Sequence, residues 1–437
     1  MDELLLTIVF ISALFFLLGS GVWIGLSLIG VALSGMWLFT MRPAGDAMVT
    51  TIWTSSSSWT LTALPLFIWM GEILFRTRLS EDMFKGLSPW LTRLPGRLLH
   101  FNIIGCAIFA AISGSSAATV ATVGKMSIPE LRRQGYPEKM TIGTLAGAGT
   151  LGLLIPPSII LIVYGVTINE SISKLFIAGV FPGLMLASLF MGYTVVWSLL
   201  HPDQIPPLDA KLSFFEKIRR SIYLFPVMAL IMTVLGSIYL GWFTATEAAV
   251  LGVVGSLSLS AIQGSLTRES FTASLMGATR TSCMIALILA GSTFLSLSMG
   301  FTGLPRSMAT WIASLELAPL TLIAALAVFY IVLGMFLDGI SSVVLTMAIV
   351  EPMVRQAGID LIWFGIFIVI VVETAQITPP IGFNLFVLQG MTHHSIMYVA
   401  RAAMPLFFLM VVALVLIVAF PEIITWLPEQ MRSQPGG

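Results

Sequence analysis

Apolar runs dominate the pattern of hydrophobic and polar positions along the chain, and polar residues fall in short stretches between them. A helix crosses a bilayer core of about 30 Å with about 20 apolar residues. Runs of that order lie near residues 4–19, 21–40, 57–75, 98–112, 140–165, 173–200, 221–241, 244–263, 280–301, 317–337, 360–392 and 397–420. The alternating pattern typical of membrane strands is not seen. The chain is therefore predicted to be an all-α polytopic membrane protein.

Composition strengthens this prediction and narrows the function classes. The 437 residues are 57% hydrophobic and only 10% charged, which excludes a soluble domain. The first ten residues lack a basic stretch, so we expect no cleavable signal peptide. The sequence has no basic tail, so we expect the bilayer as surroundings and no nucleic acid as partner.

Positive charge predicts the orientation of the segments. Lys and Arg concentrate in the polar stretches 76–97, 125–139, 201–220 and 264–280. Because cytoplasmic loops of membrane proteins attract Lys and Arg, these stretches are predicted to lie inside. Residues 98–124 then have to enter the membrane from the cytoplasm and return to it. By the same reasoning, residues 317–357 enter from the outside and return there, which leaves both chain ends outside.

Two re-entrant hairpins of opposite sense predict two inverted-topology repeats, each with a re-entrant helical hairpin and a Pro-broken transmembrane helix. The repeats are predicted at 1–200 and 221–437, with a cytoplasmic connection at 201–220. The first contains scaffold helices (1–97), a hairpin (98–133), a broken helix (140–165) and a helix (173–200). The second contains scaffold helices (221–263), a helix (280–301), a hairpin (317–357), a broken helix (360–392) and a helix (397–420).

Each predicted hairpin is followed by an apolar segment that a Pro-Pro pair interrupts. Residues 149–165 read GTLGLLIPPSIILIVYG, and residues 373–390 read ETAQITPPIGFNLFVLQG. A Pro has no N–H and clashes with the carbonyl four residues back, so a tandem pair unwinds a helix. Paired breaks of this kind in two halves indicate the binding site of a transporter. The alternative is that each pair only kinks its helix.

The hairpin tips are predicted at two short stretches rich in Gly and Ser. The first contains Ser113, Gly114, Ser115 and Ser116, and the second contains Asp338, Gly339, Ser341 and Ser342. Gly permits a positive φ in a tight turn, and a Ser hydroxyl can cap the returning helix. Carbonyl and hydroxyl oxygens at the tips are hard donors that suit a small cation. The alternative is close helix packing through small residues.

Carboxyl groups inside a membrane are costly and are treated as functional candidates. The candidates are Glu72, Glu247, Asp338, Glu351 and Glu373. Glu247 has the spacing of a capping box with Thr244, and Glu72 and Glu351 each precede an Arg by four residues. Structural roles are therefore predicted for these three. Asp338 and Glu373 fall at the second tip and just before the second break, and are predicted to be functional.

Four of these stretches occur together in a known order. SGSSAATVATVG, GTLGLLIPPSI, FTATEAAVLG and ITPPIGFNLFV resemble signatures of the large membrane subunit of tripartite ATP-independent periplasmic (TRAP) transporters, and the resemblance covers essentially the whole chain. It implies sodium-coupled secondary active uptake of a small organic acid across the bacterial inner membrane, with two or more sodium ions co-transported. It also implies an elevator mechanism, in which a domain carrying both hairpins moves against a scaffold.

The resemblance further implies two protein partners. A soluble periplasmic substrate-binding protein delivers the substrate, and a small four-helix membrane subunit braces the scaffold. Some members carry the small subunit fused to the N-terminus. Because this sequence begins with the large-subunit pattern, we expect the small subunit to be a separate polypeptide.

The resemblance also implies where ligands bind. Sodium is expected between each tip and the following broken helix. The first sodium site would be formed by Ser113, Ser115 and Ser116 with carbonyls around Gly152, Ile155 and Pro156. The second would be formed by Gly334 or Gly339 with Ala375, Thr378 and Ile381. Substrate contacts are expected from Ser115, Ser116, Asp338, Ser341 and Asn384. One position departs from the family, because Ala375 stands where Gly is common.

Two other functions stay open at this stage. A sodium/anion symporter of the same architecture that works without a binding protein would share the repeats and the Pro breaks. A membrane-embedded enzyme would need a cluster such as His with Glu, or Ser with Lys, within a turn or two of helix. No such cluster is seen in the sequence, so we expect no enzymatic activity.

Overall fold

The computed structural model describes residues 3–207, 213–303, 307 and 318–432. Every regular element within these ranges is a helix, which confirms the prediction of an all-α protein. Parts of the predicted segments lie outside the described residues, namely 208–212 of the cytoplasmic connection, residue 317 of the second hairpin and both chain ends.

Helices follow one another with short connections. The first eleven are α1 (Glu3–Gly19), α2 (Ile24–Phe39), α3 (Ala44–Ser56), α4 (Ala63–Phe75), α5 (Leu79–Leu91), α6 (Leu99–Ser113), α7 (Ser116–Arg133), α8 (Glu138–Gly149), α9 (Leu151–Leu154), α10 (Ile159–Ile168) and α11 (Ile172–Leu200). The next are α12 (Phe214–Ser221), α13 (Phe225–Tyr239), α14 (Ala245–Ile262), α15 (Arg268–Thr302), α16 (Pro319–Gly334), α17 (Gly339–Gln356), α18 (Leu361–Gln376), α19 (Phe383–Thr392), α20 (Ile396–Ala419) and α21 (Glu422–Arg432).

Helical structure extends beyond the apolar runs. Four helices were not predicted, namely α3, α5, α12 and α21. They mix apolar with polar positions, so they lack the continuous apolar run by which spans were identified. The helix predicted at 280–301 in fact begins at Arg268, because Thr267 and Ser270 form a capping box there. Its 35 residues extend about 52 Å at 1.5 Å per residue, which exceeds the bilayer core.

Not every apolar helix is long enough to cross a bilayer alone. Among the described residues, five helical stretches pass by length and composition, and seven pass if two bent pairs count as one span each. The bent pairs are Ala44–Ser56 with Trp59–Phe75, at 57°, and Phe214–Ser221 with Phe225–Tyr239, at 54°. Helices α2, α6, α16 and α18 are apolar but have only 15 or 16 residues each. A hairpin arm that ends inside the membrane needs only part of a full span.

Helices α2 and α15 cross at closely packed glycines. A methyl group on Gly291 of α15 would lie 2.6 Å from the Gly25 carbonyl oxygen and 2.9 Å from Leu28 Cβ, both on α2. Nearby, the Ser298 hydroxyl of α15 donates to the Ala32 carbonyl of α2 at 2.9 Å. Glycine at the crossing therefore sets the distance between these two helices, as is common where membrane helices pack tightly.

We expect Gly291→Ala to lower the thermal unfolding midpoint, because the added methyl group meets backbone that cannot rotate away. Overpacking of this kind costs about 1–3 kcal/mol. Gly300→Ala on the same helix is the matched control, since nothing lies within 4 Å of a methyl group there. A midpoint for Gly291→Ala equal to that of the control would contradict the prediction.

Candidate functional site

The first hairpin tip is a tight turn between α6 and α7. Gly114 ends α6 with a φ of 58°, in the left-handed region that glycine tolerates. Ser115 then caps α7, accepting a hydrogen bond from the Ala118 N–H at 3.5 Å. The Ser113 and Thr119 hydroxyl oxygens lie 2.9 Å apart, so the turn is also closed by side chains. These Gly and Ser residues build the turn in the way that the sequence predicts.

The first Pro-Pro break separates α9 from α10. The chain leaves the helical conformation at Ile155, with φ −76° and ψ 125°. A helical carbonyl accepts from the N–H four residues on, and at Pro156 that N–H does not exist. The Gly152 carbonyl therefore loses its helical partner. The Leu153 carbonyl, which faces the same loss at Pro157, accepts a hydrogen bond from the Ser158 hydroxyl instead.

The first tip packs directly against the first break. A methyl group on Gly152 would lie 2.7 Å from the Ser115 carbonyl oxygen and from Ser116 Cα. The Ile159 N–H, at the start of α10, donates to the Gly114 carbonyl at 3.4 Å. The structure thus brings Ser115 and Ser116 to Gly152, with Ser113 in the same turn but bonded to Thr119, while Ile155 and Pro156 lie within the break itself.

The second tip differs from the first because its acid is used as a helix cap. Asp338 Oδ2 accepts from the N–H groups of Ile340 and Ser341, each at 3.2 Å. The Ser341 and Ser342 hydroxyls are buried, and no hydrogen-bond partner for either is found in the described part of the chain. The Ser341 hydroxyl is therefore available to a ligand, whereas one Asp338 oxygen is already engaged.

The second tip packs on α18, upstream of the second break. A methyl group on Gly334 would lie 2.7 Å from Ala375 Cβ, and one on Gly339 would lie 2.9 Å from Val372 Cγ1. The Ala375 carbonyl accepts from the Thr378 N–H at 3.0 Å. Gly334 therefore contacts Ala375 directly, whereas Gly339 lies against Val372, one turn earlier in α18. The Ala375 carbonyl accepts from a backbone N–H, whereas the Gly152 carbonyl has lost its helical donor at Pro156.

The remaining residues of the second predicted set lie in the break between α18 and α19. The Thr378 hydroxyl donates to the Thr374 carbonyl at 2.7 Å. Ile381 is 37% exposed. Gly382 follows with a φ of 51°, and a methyl group there would lie 2.8 Å from the Thr378 carbonyl oxygen. The break is thus a compact turn that contains Thr378, and Ile381 stands at its exposed edge.

Asn384 lies in the first turn of α19 and is completely buried. It faces Gly149 at the end of α8, so it joins the second broken helix to the first. Among the described residues, neither its amide nitrogen nor its amide oxygen has a hydrogen-bond partner. A buried amide without partners is rare in proteins and is explained most simply by a ligand or water.

Glu373 joins the two halves at the first tip. The Ser116 hydroxyl donates a hydrogen bond to Glu373 Oε1, across 257 positions of sequence. The carboxyl group is 1% exposed, and Oε2 has no partner among the described residues. The sequence singled out Glu373 as an acid in the membrane but gave no sign of this partner. Gln376, one turn further on, is also buried, and its amide nitrogen has no hydrogen-bond partner in the described ranges. Nothing in the sequence pattern had singled out this residue.

A cavity of about 350 Å³ opens beside the first tip. Ser113 and Ser115 of the tip line one wall, and Glu72 and Phe75 of α4 with Thr281 of α15 line the other. This cavity therefore lies between the hairpin and the pair α4 and α15. It provides space for a small ligand next to the Ser hydroxyls.

The three structural carboxyl groups have the partners that their spacing predicts. Glu72 pairs with Arg76 at 3.0 Å, and Glu351 pairs with Arg355 at 2.5 Å. Glu247 completes a capping box with Thr244 at the start of α14. These predictions are confirmed, and Asp338 and Glu373 are left as the candidates beside the tips.

Comparison with known proteins identifies the family. The family described as "Tripartite ATP-independent periplasmic transporter, DctM component" matches residues 11–423. The C4-dicarboxylate TRAP transporter large permease protein DctM of Rhodobacter capsulatus is 32% identical, over 90% of this chain and 92% of that protein. Its counterpart from Pseudomonas aeruginosa is 30% identical, over 86% and 88%. The sialic acid TRAP transporter large permease protein SiaM of Vibrio cholerae is 27% identical, over 94% and 96%.

A solved structure shares the fold. The YdaH transporter of Alcanivorax borkumensis superposes with a TM-score of 0.64 at 12% identity, over 91% of this chain and 97% of that one. At this identity the likeness concerns the fold alone. The family match over nearly the whole sequence, with relatives that are 30% and 32% identical, shows that the chain belongs to the DctM family of TRAP transporters, as a large membrane permease subunit and not an enzyme.

Proposed function

We propose that this chain is the permease for sodium-coupled uptake of a small organic acid that a periplasmic substrate-binding protein delivers. Relatives carry the names of C4-dicarboxylate, sialic acid and isethionate transporters, and all three substrates are organic acids. The proposed location is the bacterial inner membrane, and the word periplasmic in the description of the family supports it.

The contact between the first tip and the first break is the observation that carries the cation proposal. Ser115 and Ser116 contact Gly152 there, Ser113 adds a hydroxyl in the same turn, and the Gly152 carbonyl lacks its helical donor because of Pro156. Oxygen donors of this kind fit a hard cation such as Na⁺. Two or more sodium ions are proposed, with the second between Gly334 or Gly339 and the break that contains Thr378.

A carboxylate substrate is proposed to bind in the cavity beside the first tip. Ser115 lines that cavity and also caps α7, whose N-terminal N–H groups carry partial positive charge. Asn384 and Ser341, both buried without partners, are proposed as further contacts. Ser116 and Asp338 complete the proposed set, each with one contact already made inside the protein.

The packing of the helices supports an elevator mechanism. Helices α2, α4, α14 and α15 pack on one another and would form the scaffold. Both hairpins and both broken helices pack together through α8, α18 and α20 and would form the moving domain. A bound cation would order the tips, and only ordered tips would complete the substrate pocket, so that movement requires both ligands.

Two partners belong to this proposal. The binding protein would supply the substrate from the periplasm, and a small membrane subunit would brace the scaffold. The isethionate transporter permease protein DctMQ of Oleidesulfovibrio alaskensis is 31% identical over 94% of this chain, and this chain covers 64% of that longer protein. A small subunit that is separate in one transporter and fused in another would account for this difference in length.

Uptake by proteoliposomes tests the proposal. With the binding protein, the small subunit and a sodium gradient present, we expect accumulation of labelled organic acid. Replacing sodium by potassium should slow the initial rate about tenfold or more, the factor that about 1.4 kcal/mol of lost binding energy gives.

Two other results would change the conclusion. Equal uptake in sodium and in potassium would contradict sodium coupling. Equal uptake with and without the binding protein would favour the alternative, a sodium/anion symporter of the same architecture that works alone.

A further inference from the structure

Glu373 carries a buried carboxyl group without a protein counter-charge. It lies in α18, whose residues are all buried, and no described residue forms an ion pair with it. Its Oε1 accepts from the Ser116 hydroxyl, and its Oε2 has no partner in the described ranges. A buried carboxyl group that stays charged is paired or coordinates a cation, and the free Oε2 of Glu373 leaves room for such a cation.

The helices around α18 do not supply the missing charge. Helices α9, α10, α16 and α19 pack against α18, and none of them contains a charged residue. Helix α17 also packs there, but its Glu351 and Arg355 pair with each other. Helices α11, α20 and α21 pack on α18 as well and carry charged side chains, such as Lys174 and Arg401, but in the described ranges none of these forms an ion pair with Glu373. The N-terminus of α7 contributes only partial charge, and its Ala118 N–H is already bonded to Ser115 Oγ.

Two further oxygen atoms belong to residues that contact each other beside this carboxyl group, namely Ser116 and Gly152. The Ser116 hydroxyl gives its proton to Glu373, so its lone pairs remain free to face a cation. Gly152 lies against Ser116 Cα, and the Gly152 carbonyl has lost its helical donor at Pro156. Glu373 Oε2 is the third oxygen; it has no hydrogen-bond partner among the described residues, and of the three it alone can carry a full negative charge.

We propose that Glu373 is an anionic member of the first cation site, where its carboxylate balances a monovalent cation held by the Ser116 hydroxyl and the Gly152 carbonyl. The inference rests on the proposed sodium coupling and adds a residue to it. This role would explain the contact between the two halves, because cation binding at the first hairpin would then depend on α18, a helix of the second half. Ser116 is oriented by the same carboxylate, as ligands often are by an acidic neighbour.

Sodium-dependent thermal unfolding of the purified full-length chain tests the inference without measuring transport. The probe is NaCl, with KCl keeping the ionic strength constant, and the readout is the sodium concentration at half of the maximal midpoint shift. Glu373→Gln keeps the size and an acceptor for Ser116 but removes the charge. We expect it to raise the half-saturating sodium concentration about tenfold or more, the equivalent of about 1.4 kcal/mol.

Glu351→Gln is the matched control, since it removes a carboxylate that is already paired with Arg355. It should have the same half-saturating concentration as the wild type. If Glu373→Gln yields no folded protein, Glu373→Asp replaces it, because it keeps the charge but withdraws it from Ser116. A weakening of about threefold or more is then expected for Glu373→Asp, about 0.7 kcal/mol.

The outcomes separate the two proposals. A sodium response in the wild type that Glu373→Gln leaves unchanged overturns the inference about Glu373 and leaves sodium coupling standing. The same result is expected if the carboxyl group is always neutral, so that outcome counts against the inference as well. A wild type that responds equally to sodium and potassium overturns sodium coupling, and the inference falls with it.

Discussion

Replacing Ser113, Ser115 and Ser116 by Ala together should nearly abolish uptake while leaving the protein inserted in the membrane. The triple variant removes the three Ser hydroxyls of the first tip. Ser113 and Ser115 line the cavity, and Ser116 donates to Glu373. A hydrogen bond or similar contact to a charged group contributes about 1.5–3 kcal/mol. If two such contacts are lost, the initial rate of uptake should fall about 100-fold or more.

The measurements for this variant are uptake by proteoliposomes and the sodium concentration that gives half-maximal uptake. Part of the effect could come from stability, because Ser115 caps α7 and loss of a Ser cap costs about 0.5–2 kcal/mol. Elution of the variant as a single species in size-exclusion chromatography shows that it is folded.

The matched control for the triple variant replaces Ser34, Ser188 and Ser258 by Ala. Each of these is an exposed helical Ser that donates to the carbonyl four residues back. The control removes the same number of hydroxyls away from the tips, so its uptake should stay within about twofold of the wild type. A twofold change is well below the tenfold change that about 1.4 kcal/mol gives. Wild-type uptake by the tip variant would refute a role of these Ser residues in binding.

Gly152→Ala should separate the first tip from the first break and reduce uptake about tenfold or more. The added methyl group would lie 2.7 Å from backbone atoms of Ser115 and Ser116, so the tip itself has to move. Overpacking costs about 1–3 kcal/mol, and the upper half of that range is worth a factor of ten or more. We therefore expect a lower thermal midpoint and a higher half-saturating sodium concentration in the same variant.

Gly192→Ala is the control for this glycine. Gly192 lies in α11, and nothing is found within 4 Å of a methyl group there. Ala is the better helix former by about 1 kcal/mol, so this variant should be as stable as the wild type or slightly more stable. If Gly152→Ala took up substrate like the Gly192→Ala control, close contact between the tip and the break would not matter for transport.

The two halves contribute unequally to the site. At the first break the Gly152 carbonyl loses its helical donor at Pro156, whereas the Ala375 carbonyl at the aligned position accepts from the Thr378 N–H. At the second tip Asp338 caps the following helix, whereas at the first tip Ser116 is bonded to Glu373, an acid of the second half. Aligned sequence positions therefore need not have the same role, because the hydrogen bonds of each carbonyl and hydroxyl depend on the groups that pack around it.

Local chemistry in the sequence determined much of this protein. The length of the apolar runs predicted an all-α membrane protein, and the order of its motifs indicated the family that the comparisons confirm. Spacing alone predicted the Glu72 and Glu351 ion pairs and the Glu247 capping box. A Ser cap at the first tip was also predicted, and the structure assigns it to Ser115. These succeed because the partners lie within one helical turn, where backbone geometry fixes the distance.

Only the tertiary structure decided what lies across the molecule from each tip. The bond from Ser116 to Glu373, the approach of Asn384 to Gly149 and the packing of Gly152 on Ser115 join residues that are distant in sequence. Periodicity carries no information on such contacts, because they depend on how whole helices pack. Helix α12 and the early start of α15 were also missed, since a short amphipathic helix or a polar first turn has no long apolar run. The sequence by itself therefore identified the polar groups of the site, and packing decided which of them meet.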